Sequence, residues 1–171
     1  MASARAGDNS TSEMIAARLN ADYPHSIMVQ NYVLPTIRAL LAVYTKHPDQ
    51  AIAALQPALL FECGEEGFGN LQPAYVRGLA YLQLKRGKEA AIEFQKLIGH
   101  PGIVGFSITG ALVHLQLARA EGISGNHDLA RRHYQDFFAL WKDADSNIPI
   151  LVEAKTEYAK LQQPSEKIHD L

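Results

Sequence analysis

Ala51, Ala90 and Ala130 stand 39 and 40 residues apart, and the residues around each repeat in one register. Twelve positions before each alanine lies another small side chain, Ala39, Gly78 and Ala118. Four positions after it lies a bulky one, Leu55, Phe94 and Tyr134. A small residue lets two helix backbones approach closely, and a large one four positions on lies one turn away on the same face. Three copies of one small, small, large pattern describe three helical hairpins of one kind. None could bury its apolar face alone, and each can bury it against the next.

The local signals agree with a chain that is helical throughout. Apolar residues recur at intervals of three and four and β-branched runs are scarce, so no strand is expected. Breakers fall at Tyr23-Pro24, His47-Pro48, the glycine-rich CGEEGFGN of 63–70, 99–105, 122–126 and 145–149. They leave about eight helices, at 11–22, 27–46, 48–60, 72–86, 88–98, 107–122, 127–143 and 149–162. Ser10 and Glu13 have capping-box spacing, Pro73 suits a first helical position, and Asn126 can cap the helix after it. Pro35 predicts a kink in helix 27–46, or a start in earnest at that residue.

The spacing resembles the tetratricopeptide repeat, which places small residues at its eighth and twentieth positions and an aromatic at its twenty-fourth. Residues 71–102 are the best copy, with Tyr81 also matching the eleventh position. The chain departs from the pattern at Ala74 and Arg77, the fourth and seventh positions of that copy, and at Glu121, the eleventh of the third. Its period also exceeds the usual 34, the excess lying in the connectors CGEEGFGNLQ and HPGIVGFSIT. The resemblance implies an all-α fold, an α-α superhelix or solenoid of antiparallel hairpins. It divides the chain into a partial repeat at 1–24, of which only a second helix is present, repeats at 25–62, 71–102 and 107–143, a capping helix at 148–162 and a loose tail at 163–171. Carried backwards, the register puts Ser12 and Ala16 at the small and large places of an incomplete unit, so the chain reads as the end of a longer repeat protein. In the last helix Glu153, Lys155, Glu157 and Lys160 are expected to face water. Over roughly residues 25–162 the sequence also looks like the C-terminal repeat region of bacterial serine/threonine protein kinases and of some winged-helix transcriptional regulators. That likeness implies a sensory or docking segment attached to an effector.

Little points to chemistry. Sixteen basic and 18 acidic residues give a formal charge of −2, without the basic footprint that nucleic-acid binding requires. No apolar run approaches the ~18 residues that span a bilayer, and the N-terminus lacks a signal core. A soluble, cytoplasmic chain is expected. The one cysteine, Cys63, excludes an internal disulfide or multi-thiolate site and is read as a partly buried structural residue. No phosphate loop on strands or kinase catalytic loop occurs, and GEEGFGN has the wrong order for phosphate binding. Among the seven histidines, His127 and His133 are closest in sequence, but on a helix six residues leave side chains ~120° apart. His114, on the apolar segment ALVHLQLA, reads as a hydrogen-bonded, partly buried residue. Glu121 reads as a frayed exposed helix end, with Arg119 or Arg131 as its alternative partners. No catalytic residue, cofactor or metal ligand is assigned, and the chain is not expected to be an enzyme.

What remains for function is the inner face that the repeat register defines. The resemblance directs Val33, Thr36, Leu40, Val43 and Tyr44 inward from the first hairpin and Gln72, Tyr75, Leu79, Leu82 and Gln83 from the second. From the third it directs Leu112, Leu115, Arg119, Gly122 and Ile123. This mostly apolar set suits an amphipathic helix or another copy of the chain better than an acidic tail, since Arg119 is its lone cation. The expected role is a non-enzymatic module that binds a protein or peptide there or self-associates. The alternative is a regulatory segment of a kinase or transcription regulator whose effector lies elsewhere. An uncovered first half-repeat would also expose apolar surface and favour a homodimer.

Overall fold

The computed structural model describes residues 9–62, 71–104 and 108–162. These contain nine α-helices and no strand. Helix α1 (Asn9–Asp22) is followed by a π-helical turn (Val29–Val33) that runs into α2 (Leu34–Tyr44). Helix α3 (Pro48–Ala54) continues as a 3-10 segment (Gln56–Phe61). Helices α4 (Gln72–Gln83) and α5 (Gly87–Gly99) form the next pair, and the short α6 (Pro101–Val104) precedes α7 (Ile108–Ile123) and α8 (His127–Leu140). Helix α9 (Pro149–Gln162) completes the order. The expected helices are all present, with small shifts. The segment 48–60 changes from α to 3-10 geometry near Pro57, and the connector 99–105 contains α6. Ser10 lies inside α1, which starts at Asn9, so it is not the cap. Cys63, the glycine-rich 63–70 and the tail 163–171 lie outside the described residues.

Pro35 shapes the entry to α2. Its ring supplies no N–H for the α-helical ladder, and the chain responds by widening the turn before it. Leu34 N–H bonds to the Val29 carbonyl, five residues back, and the buried Thr36 hydroxyl donates to the Tyr32 carbonyl at 2.6 Å. The expected kink is thus a π-turn, after which regular helix starts at Leu34.

The three hairpin turns share one hydrogen-bond pattern. In the first, Lys46 N–H bonds to Val43 O and His47 N–H to Ala42 O; in the second, Lys85 to Leu82 and Arg86 to Tyr81; in the third, Gly125 to Gly122 and Asn126 to Glu121. This is the Schellman ending, with a left-handed residue just past the helix. Lys46, Lys85 and Gly125 have φ of 64°, 59° and 80°. These residues are 39 and 40 apart, so the repeat first seen in side-chain size also governs the backbone.

Packing explains why that size pattern recurs. Ala39, Ala51, Ala90, Ala118 and Ala130 have no exposed surface. Gly78 packs on the buried Phe94, and a Cβ added there would come within 2.5 Å of the ring. Gly87 meets the third hairpin's turn, where a Cβ would stand 2.5 Å from the Ala120 carbonyl oxygen. The core is a chain of clusters, each shared by consecutive elements: Leu34 and Ile37 with Ala16 of α1; Leu40, Val43, Leu55 and Val76 across α2 to α4; Tyr75, Phe94, Leu97 and Leu117 across α4, α5 and α7; Leu115, Phe137 and Leu151 across α7 to α9. Ser12 and Ala16 are the buried residues of α1.

Two departures from the repeat pattern are now explained. Arg77 is buried and donates to Glu62 at 2.5 Å and to Glu93 at 2.9 Å, while Lys96 also reaches Glu93 at 2.8 Å. Burial opposes its charge, but hydrogen bonds and attraction from Glu93 and Glu62 outweigh that and raise its pKa. Glu121 is buried at 4% exposure, which corrects the reading of a frayed end. It pairs with neither Arg119 nor Arg131. The Asn126 amide donates to it at 2.6 Å, so Asn126 locks the turn through Glu121 and makes no side-chain cap of α8.

Candidate functional site: an apolar groove across four helices

A groove of about 1040 Å³ runs across α2, α4, α7 and α9. Each helix contributes one stripe at intervals of three and four. Leu40, Val43 and Tyr44 come from α2; Tyr75, Leu79, Leu82 and Gln83 from α4; Leu112, Gln116, Arg119 and Ile123 from α7; Ile150, Glu153, Glu157 and Leu161 from α9. Such spacing places a stripe along one side of a helix. The second helices of the hairpins add only Tyr134, of α8. Lys46 and Lys85, from the equivalent left-handed turn positions, stand on the lining, as does Lys160 of α9.

Polarity is uneven along the groove. The α2 and α4 part is aliphatic and aromatic, with Tyr75 set edge-on against Phe94 at 5.7 Å between ring centres. Gln83 donates to the Val43 carbonyl at 2.9 Å and ties the two stripes together, while its Oε1 has no partner among the described residues. At the α9 end, Arg119 makes two hydrogen bonds of 2.9 Å to Glu157 and lies 3.3 Å from Glu153. Tyr134 donates to Glu157 at 2.7 Å. Burial disfavours the Arg119 charge, yet the bonds to Glu157 and the nearby carboxylates raise its pKa. Burial and then Glu157 push the Tyr134 phenol above its usual range, so it stays a donor.

Of the inner-face residues read from the sequence, Leu40, Tyr44, Tyr75, Leu79, Leu82, Gln83 and Arg119 line the groove, as do Val43, Leu112, Gly122 and Ile123. Thr36, Gln72 and Leu115 do not. Thr36 is buried against the π-turn, the buried Gln72 amide donates to the Thr109 hydroxyl at 3.0 Å, and Leu115 is enclosed in the core between α7 and α9. Val33 packs with Leu34 and Ile37 against α1. The contribution of α9 was missed, because its glutamates were read as a water-facing surface. Glu157 instead points at Arg119; the spacing of Ile150, Glu153, Glu157 and Leu161 marks one side of α9 without saying what that side meets.

Away from the groove, His114 of α7 and His133 of α8 lie with ring centres 6.1 Å apart. Both approach Asp136, at 3.7 and 3.6 Å from Nδ1 to the carboxylate. Neither Nδ1 has a hydrogen-bond partner among the described residues, so the expected hydrogen bond of His114 is not present at that atom. Burial, more than the attraction of Asp136 can offset, lowers the His114 pKa and favours its neutral form.

Comparison with known proteins finds no matching family model, no matching curated protein and no matching solved structure. The groove therefore has to be interpreted from its own chemistry. No helix among the described residues is long and apolar enough to cross a membrane.

Proposed function

We propose that the chain is a non-enzymatic interaction module, a solenoid of tetratricopeptide-like hairpins that seats an amphipathic helix of a partner protein in this groove. The observation that carries the reading is the convergence of one stripe from each of α2, α4, α7 and α9 on a single open surface. An apolar floor with isolated polar groups matches helix-in-groove recognition, in which anchors at i, i+3, i+4 and i+7 enter a hydrophobic channel. A clamp for a terminal carboxylate fits less well, because Glu157 and Glu153 already engage Arg119. Lys46 and Lys85 form no ion pair among the described residues and supply positive charge at the turns, on the same lining as Lys160. A partner helix with an acidic end towards these turns would be oriented by both. The likeness to kinase-associated repeat regions would make such a module the docking part of a larger regulator; no separate feature of the structure favours that reading over the groove itself.

Selection of displayed helical peptides on the purified chain tests this. The expected winners carry an apolar stripe of helical spacing, and Leu82→Asp or Leu79→Asp weakens their binding by tenfold or more, about 1.4 kcal/mol. Ile92→Asp, on an exposed position of α5 outside the groove, leaves it unchanged. Peptides without that stripe, or binding indifferent to both groove variants, would overturn the proposal. Light scattering over a range of concentrations tests self-association as the competing use.

A further inference from the structure

We propose that His114, His133 and Asp136 form a binding site for a divalent transition-metal ion, with Zn²⁺ the cation their donor set suits best, which cross-links α7 to α8. His133 and Asp136 are three residues apart on α8 and share one side of it. His114 reaches them from the facing turn of α7. One ligand atom from each residue falls within a cluster no wider than 4.8 Å, and the two imidazole to carboxylate separations are 3.7 and 3.6 Å. Ligands bound to zinc at about 2.0–2.1 Å in a tetrahedron sit roughly 3.3–3.4 Å from one another. Small side-chain rotations would therefore close the cluster on an ion.

The alternative is a histidine pair that merely packs beside an acid. That arrangement leaves two buried Nδ1 atoms without hydrogen bonds among the described residues, which costs free energy in a protein interior. A cation satisfies both lone pairs at once. The neutral imidazole is the form that ligates. Two imidazoles and one carboxylate suit zinc and neighbouring first-row ions, whereas magnesium and calcium prefer all-oxygen sets. Asp136 is more than half exposed, so a water can complete the fourth position. None of the three residues lines the groove, which makes this a site separate from the proposed peptide surface.

The test uses the whole chain without an affinity tag, Zn²⁺ alone as stabilising ligand and Co²⁺ as spectroscopic probe. Free Zn²⁺ at a hundredfold excess over Kd should raise Tm by roughly 5–10 °C. Co²⁺ should give the intense visible bands of a tetrahedral site. Asp136→Asn, His133→Gln and His114→Gln should each remove both signals, while His127→Gln, altered on an exposed residue of the same helix, should keep them. If either histidine variant fails to fold by far-ultraviolet circular dichroism, Asp136→Asn decides, since that side chain is largely in solvent. The proposal is overturned if Zn²⁺ binds more weakly than ~1 mM, or if the Tm rise and the Co²⁺ bands survive Asp136→Asn.

Discussion

Lys46 and Lys85 hold the left-handed conformation that Gly125 holds in the third turn. For a side chain with a Cβ that conformation costs about 1–2 kcal/mol, partly balanced by the greater freedom a glycine has in the unfolded chain. Lys46→Gly and Lys85→Gly are each expected to stabilise by about 0.5–1 kcal/mol, measured as a higher urea midpoint at constant m-value. Unchanged or lower midpoints would mean that the lysines make compensating contacts. The two glycines at joints should respond in the opposite sense. Gly78→Ala drives a Cβ against the Phe94 ring, and Gly87→Ala drives one against the backbone of the next turn. Overpacking costs typically ~1–3 kcal/mol. Gly87→Ala should be the more damaging, because a carbonyl oxygen within a hydrogen-bonded turn yields less than a ring edge. At Arg77, substitution by leucine takes from the buried Glu62 its close partner and leaves Glu93 with Lys96 alone, and a loss of about 3–5 kcal/mol is expected in the same assay.

At the level of elements, the hairpins were readable because helix packing writes its requirement into sequence at fixed intervals. Ala39, Gly78 and Ala118, with Ala51, Ala90 and Ala130, are small for one reason, and that reason recurs each time a hairpin closes. The left-handed lysines left no such mark, since glycine and asparagine are the residues that announce the conformation. Nor did the ion pair that seats the last helix. Periodicity tells which residues share a side of α9, but not whether that side meets water or Arg119. The same limit hid the histidine cluster. In repeat register His114 and His133 occupy the places of Ala74 and Glu93, and only the helix contact brings those places together. The inward turn of α9 carries its own prediction. Glu157→Ala removes both Arg119 bonds and the Tyr134 acceptor and should destabilise by about 1–2 kcal/mol. Glu153 is mostly exposed, so Glu153→Ala should change stability by less than ~0.5 kcal/mol. Equal effects in thermal unfolding would argue against a distinct role for Glu157.

Across the whole molecule, packing is serial. The cluster around Leu34 and Ile37 reaches only α1 and α2, the one around Leu40 and Val43 reaches α4, and the one around Leu115 and Phe137 reaches α9. Leu41, Leu79 and Leu112 each pack against two clusters at once. Stability in such an arrangement is a sum of local terms and neighbour interfaces, so damage at one end should spread only as far as those interfaces transmit it. Ala118 is fully buried between α7 and α8, and Ala118→Leu overfills that joint. Hydrogen exchange should then accelerate across α7, α8 and α9 and fall off through α5 and α4, leaving α1 and α2 near their original protection. A uniform loss of protection from α1 to α9 would show one cooperative unit instead. The result also bears on the groove, whose stripes come from hairpins at both ends. If the ends open independently, the α9 part with Arg119 and Glu157 can loosen while the Leu40, Leu79 and Leu82 floor stays formed. A bound helix spanning both would then restore protection in α7 to α9 of the Ala118→Leu variant.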